Sequence, residues 1–249
     1  MAATAGQIAE VLAGLRAESA RLRTASEQPA PARLPAGSPA LDALTGGGLV
    51  RGRILELTGP RSSGRMSVML AMTAAVQATG ELAAIVDVAD ALDPRSAARA
   101  GVILPRLLWV RPRSVVDGLK AADWVLDAGG FGIVVLYLAG SGAEASEADA
   151  RTAWRRRAST VRGEAPWIKL ARRAERARSA VVVVSDRPLV GTVAAVSLAA
   201  ERGRVRWVGG DGGAPRLLDG VNGRIAVARS KLGPPAATAE LPLAISTRR

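Results

Sequence analysis

Two apolar runs limit what this chain can fold into: GIVVLYLAG at residues 132–140 and SAVVVVSD at 179–186. Each has the length of a strand, and neither alternates with polar residues. Such runs fit strands buried on both faces, as in a parallel sheet. The segments around them take turns between strand and helix patterns. RILEL (53–57), LAAIVDV (82–88) and RLLWV (106–110) read as strands. MSVMLAMTAAVQAT (66–79), DPRSAARAG (93–101), SVVDGLKAADWVLDAGG (114–130) and APWIKLARRAERAR (165–178) read as helices. In the last of these, Trp167, Leu170, Ala171 and Ala174 take the inward face. Lys169, Arg172, Arg173 and Arg176 take the outward one. Strands alternating with helices predict a doubly wound α/β domain, with a mostly parallel central sheet flanked by helices. AAVSLAAE, RVRWVGG and GRIAVARS come next at close spacing and predict an antiparallel extension.

Ahead of this domain, residues 6–24 have helical periodicity. Ile8, Val11, Leu12, Leu15 and Leu22 fall on one face, and the proline-rich stretch SEQPAPARLPAGSP breaks regular structure after the helix. The expected division is an amphipathic helix and tether over 1–33 and a core over 34–249. Ile8, Leu12, Leu15 and Leu22 form a stripe that must bury against the chain's own core or against a neighbouring chain. No apolar run approaches the roughly 18 to 20 residues of a membrane span. The N-terminus has no basic start followed by an apolar stretch, so a cytoplasmic location is expected. The sequence contains neither cysteine nor histidine. Disulfides, thiolate nucleophiles, imidazole bases and the usual zinc ligands are thereby excluded.

TGPRSSGRMS, residues 58–67, approaches the phosphate-loop pattern G-x-x-x-x-G-K-[ST]. Gly59 and Gly64 are correctly spaced, and Ser62 and Ser63 lie between them. The lysine position holds Arg65, whose planar fork differs in shape from an ammonium. The hydroxyl position holds Met66, a poor ligand for a hard cation. Ser67 brings a hydroxyl one residue late.

The resemblance extends beyond the loop. LPAGSPALDALTGGGLVRGRILELTGPRSSGRMS is similar to the opening of the bacterial RecA core. AAIVDVADALDP resembles the RecA segment ending DAEHALDP, and NGRIAVARSKLGPP resembles the late segment containing VKNK. The matches run in order across about residues 34–240, and they imply a RecA-type core. They also imply an N-terminal helix of the kind that packs on the next subunit of a filament. The alignment places Ala89 where the family has its water-activating glutamate, with Asp90 beside it. It places Tyr137 at the acidic residue closing the Walker B strand, and Ser96 at the aromatic that stacks on adenine. Asp186 stands where the sensing glutamine would be. DRPLVGT (186–192) replaces a much longer second DNA loop, and the family's C-terminal domain has no counterpart. Arg229 and Lys231 match the two lysines that reach nucleotide across the subunit interface.

With these roles replaced, the resemblance implies a lost ATPase, with no cofactor and no metal, whose loop retains at most an anion. A core of this length with such a loop resembles the ImuA family, which accompanies ImuB and an error-prone polymerase in damage-induced mutagenesis. The implied function is a catalytically inactive adaptor in SOS translesion DNA synthesis. Its expected partners are RecA and an ImuB-like, Y-family-like protein, with self-association and non-specific DNA binding as further expectations. Two other readings stay open. One is a recombination paralogue with slow DNA-dependent ATPase activity, and the other is a regulator of RecA filaments or of cell division. The net charge of +12 fits nucleic acid or an acidic partner, and equally an arginine-rich composition from a GC-rich genome. Residues 151–178 hold ten Arg or Lys against Glu164 and Glu175. Arg155, Arg156, Arg157 and Arg162 are the expected DNA contacts, Trp154 the stacking candidate, and Trp167 a core residue.

Overall fold

The chain enters the domain through a small antiparallel pair, β1 (Arg33–Leu34) and β2 (Leu49–Val50), with α1 (Pro39–Leu44) between them. Ser38 caps α1 by accepting from the Leu41 amide at 3.2 Å, and Pro39 occupies the first turn, where no amide is needed. This computed structural model describes residues 32–139, 164–209, 217–233 and 238–244. Residues Arg33–Arg249 form one compact unit.

The alternation continues with β3 (Ile54–Thr58), α2 (Arg65–Ala78), β4 (Leu82–Asp87), α3 (Pro94–Arg99) and β5 (Leu107–Val110). It proceeds through α4 (Val115–Ala128), β6 (Phe131–Tyr137), α5 (Ala165–Ala177), β7 (Ala180–Ser185) and β8 (Val196–Glu201). β9 (Val205–Val208), β10 (Leu217–Ser230) and β11 (Thr238–Ala244) complete the described elements. The main sheet runs β5-β4-β6-β7-β3-β8-β10-β11. The pairs from β5 to β8 are parallel, whereas β10 pairs antiparallel with β8, β9 and β11. The expected α/β architecture with an antiparallel extension is therefore present.

Alternating side chains of the central strands divide between two cores. Leu55, Leu57, Ile85, Val135, Val182 and Val184 pack with α2 on one face. Ile54, Val86, Val134, Leu136, Val181 and Val183 pack with α4 and α5 on the other. Both faces are covered, which explains why these strands read as unbroken apolar runs. On α5, Trp167, Leu170 and Ala174 are buried as expected, and Ala171 is half-buried. Arg173 is also half-buried: it donates to Asp123 at 3.1 Å and pairs with Asp127, tying α5 to α4. Lys169 donates to the same Asp123 at 2.8 Å.

Five elements differ from the sequence expectation. The pattern does not predict β1, which lies inside the proline-rich stretch, or β2, because two residues each show no alternation, nor α1, because its six residues are too few to show a period. β10 begins at Leu217, six residues before the expected start at Gly223. Asp219, Gly220 and Asn222 suggest a turn, yet this stretch gains a ladder on each side, from β9 and β11. β11 is not predicted either, since TAELPLA contains a proline. Pro242 is tolerated in the last strand of the sheet order. Among the described residues, no helix is long and apolar enough to cross a membrane.

Candidate functional site

Strand register brings the candidate residues to one end of the sheet. Asp87 pairs with Tyr137, Tyr137 with Val184, Val184 with Leu57, and Leu57 with Leu198. This row marks the carboxyl ends of the parallel strands, where open α/β sheets place ligands. Loop 59–64 leaves the row from β3 and enters α2.

The loop keeps its backbone frame. Gly59 has φ 156°, and a Cβ there would lie 2.3 Å from the Ala200 carbonyl oxygen on β8. No side chain fits that approach. Ser62 takes the left-handed conformation with φ 60°, and so does Gly64, the helix N-cap, with φ 86°. No side chain caps α2, so its first amides keep their donors and the positive end of its dipole. Ser63 is buried, and its hydroxyl oxygen has no hydrogen-bond partner.

The side chains point elsewhere. Arg65 is 5% exposed, and its Nη1 donates to the Ser185 carbonyl at 2.6 Å and to Asp186 Oδ1 at 2.8 Å. The cation at the lysine position is thus held by the end of β7. Met66 is half-buried against the α2-side core, and Ser67 is exposed. Tyr137 is buried, and burial pushes its phenol above the ordinary value of 10.0, with the charge of Arg65 pulling the other way. Ala89 packs on the same core. Asp90, with φ 51°, pairs with Arg111 at 3.4 Å, and the Arg111 guanidinium lies 4.9 Å from the centre of the Trp109 ring. Ser96 belongs to a helix cap: its hydroxyl donates to Asp93 at 2.6 Å. That bond and the Ser96 amide hold the Asp93 carboxyl below the usual carboxylate range.

Two buried carboxylates have no role that the sequence assigns. Asp87 accepts from the Leu92 amide at 2.9 Å through Oδ2, while its Oδ1 has no partner. Glu56 lies on β3 facing residues 189–197. Its Oε1 accepts from the amides of Leu189 at 2.5 Å and Val190 at 2.8 Å, and its Oε2 from the Ser197 hydroxyl at 3.2 Å. A lone acid inside ILELT is the available signal, because a buried charge requires partners. Arg229 adds a tie to the same strap, donating to the carbonyls of Gly191 and, at 3.3 Å, Ala194. Thr192 bonds Glu164 at 2.5 Å. The strap formed by residues 186–194 is therefore fastened inside the domain, and Arg229 bonds carbonyls of its own chain. Lys231 is exposed.

Among the described residues, no group of three Asp, Glu, His or Cys could hold a metal ion. Arg155, Arg156, Arg157, Arg162 and Trp154 lie outside the described residues, as do Ile8, Leu12, Leu15 and Leu22.

Residues 19–151 match the RecA N-terminal domain family. Protein RecA of Lactobacillus delbrueckii subsp. bulgaricus is 43% identical over 104 residues, covering 41% of this chain and 31% of that protein. Protein RecA of Methylococcus capsulatus is 45% identical over 104 residues, covering 41% and 30%. The match thus spans under a third of the length of these relatives. The crystal structure of the RadB recombinase covers 83% of this chain and 94% of its own, with TM-score 0.58 and 17% identity, a likeness of fold.

Proposed function

This chain belongs to the RecA N-terminal domain family, and on that premise we propose that it is a catalytically inactive RecA-like adaptor. In this reading it works through protein contacts in the DNA-damage response, in translesion synthesis of the kind the ImuA resemblance implies. RecA and an ImuB-like protein are its partners, and DNA contacts are secondary. One observation carries the reading. Arg65, at the lysine position of the loop, is bound to Ser185 and Asp186 rather than left for a phosphate. The surrounding positions support it, because Met66, Ala89 and Tyr137 offer a thioether, a methyl and a phenol. These three side chains supply neither an oxygen anion for a hard cation nor a base for an attacking water.

The intact glycine frame and the identity to RecA favour a second reading, a recombination paralogue with slow DNA-dependent ATPase activity. The adaptor reading is tested by co-purifying the chain with RecA and with an ImuB-like protein from the same source. Retention of at least one partner without ATP is the expected result. Retention that requires ATP and disappears in Arg65→Ala would favour the paralogue.

A further inference from the structure

The buried Arg65 pairs with the part-exposed Asp186 beside a loop whose backbone is still shaped for an anion. The two arrangements compete for one charge. A phosphate seated on the α2 amides would meet a guanidinium already neutralised, and would face the Asp186 carboxylate as a like charge. We propose that Asp186 is a built-in counter-ion that keeps the loop shut to phosphate-class anions, and that a neutral side chain at 186 opens it to inorganic tripolyphosphate. This rests on the non-hydrolytic reading of the loop, since it concerns binding without turnover.

Several independent features support the latent site. Ser63 is 2% exposed with an unpartnered hydroxyl, although buried polar groups are ordinarily bonded. It lies beside Gly59, where an added Cβ would come 2.8 Å from that oxygen. The helix that begins at Arg65 is 14 residues long and has no side-chain cap. The lock is also separable from the strap behind it. Leu189 and Val190 are held by Glu56, and Gly191 and Ala194 by Arg229, so the strap has ties of its own beside the Asp186 carboxylate. Asp186 is 34% exposed, and asparagine has its shape without its charge.

Neutralising Asp186 leaves the buried Arg65 cation without this counter-charge, and an incoming anion then supplies it. The test uses the full chain as wild type, Asp186→Asn, Asp186→Ser, and the double variant Arg65→Met with Asp186→Asn. Each is titrated calorimetrically with sodium tripolyphosphate and with metal-free ATP, and melted with and without tripolyphosphate. Asp186→Asn is expected to melt below wild type, to bind tripolyphosphate at least about tenfold more tightly, and to recover its Tm when the anion is added. The double variant keeps the backbone cradle but lacks the cation, and is expected to bind tripolyphosphate more weakly than Asp186→Asn. ATP binding comparable to tripolyphosphate identifies the phosphate chain as the recognised group. Should Asp186→Asn fail to fold without anion, Asp186→Ser gives the same comparison. Equal binding by wild type and both neutral variants, or binding by the double variant as tight as by Asp186→Asn, overturns the proposal. Failure of the non-hydrolytic reading has a different readout, phosphate release by wild type.

Discussion

The loop at 59–64 and the strap at 186–194 border the same row of strand ends and are built in opposite ways. The loop takes its shape mainly from backbone, with Gly59 against β8, left-handed Ser62 and Gly64, and free helix amides, and with one side-chain tie from Arg202 to the Arg61 carbonyl at 3.0 Å. The strap takes its shape from side chains reaching in, with Glu56 from β3, Arg229 from β10, Arg65 from α2 and Glu164 ahead of α5. A backbone frame keeps its geometry while the side chains on it change. A strap held by side chains weakens with each partner it loses. One wall of the site therefore keeps the form of a phosphate cradle, while the facing wall has become internal structure, and Arg65 is the residue that joins them.

This contrast can be broken from either side, and the strap should give way most. Glu56→Ala leaves two amides and a hydroxyl without their acceptor in a buried place. A loss of about 3 kcal/mol is expected, read as a lower denaturant midpoint with little change in slope. A loss under about 1 kcal/mol would mean that the other ties suffice. Gly59→Ala attacks the loop, where the new methyl meets the Ala200 carbonyl. Strain and clash together should cost about 2 kcal/mol, measured in the same way. Arg173→Ala removes the link between α5 and α4 away from the site. About 0.5 to 1 kcal/mol is expected, since the pair is partly solvated, with no effect on tripolyphosphate titrations.

The smallest effect is spectroscopic. Tyr137 is the sole tyrosine, so its alkaline titration can be followed directly by ultraviolet difference absorbance. Burial raises its folded pKa above the ordinary 10.0. The stability it contributes is therefore complete below the unfolded value and is lost as pH rises through the folded one. A midpoint at or below 10.0 in the folded protein would contradict the burial assigned to it.

Much of this is legible in the sequence because it comes from period and spacing. Val181 to Val184 can belong only to a strand covered on both faces, and Gly59 with Gly64 fixes the loop. The alignment marks Met66, Ala89 and Tyr137 as departures. Pairing across long stretches of chain is not legible in this way. Nothing near Arg65 indicates that its partner lies 121 residues later, at Asp186. Nor does anything near Arg229 indicate that it bonds the carbonyls of Gly191 and Ala194. Likewise the turn-like residues of β10 hide its first half, since their strand conformation depends on ladders formed with β9 and β11.

Phosphate release from ATP is the most direct test of the central claim, that the cation of the loop is withheld from nucleotide. It is measured with magnesium, with and without single-stranded DNA, for wild type and for Arg65→Ala prepared identically. The expected result is the same background rate in all four conditions. A wild-type rate above that of Arg65→Ala, and raised by DNA, would contradict the claim and make this chain a working ATPase.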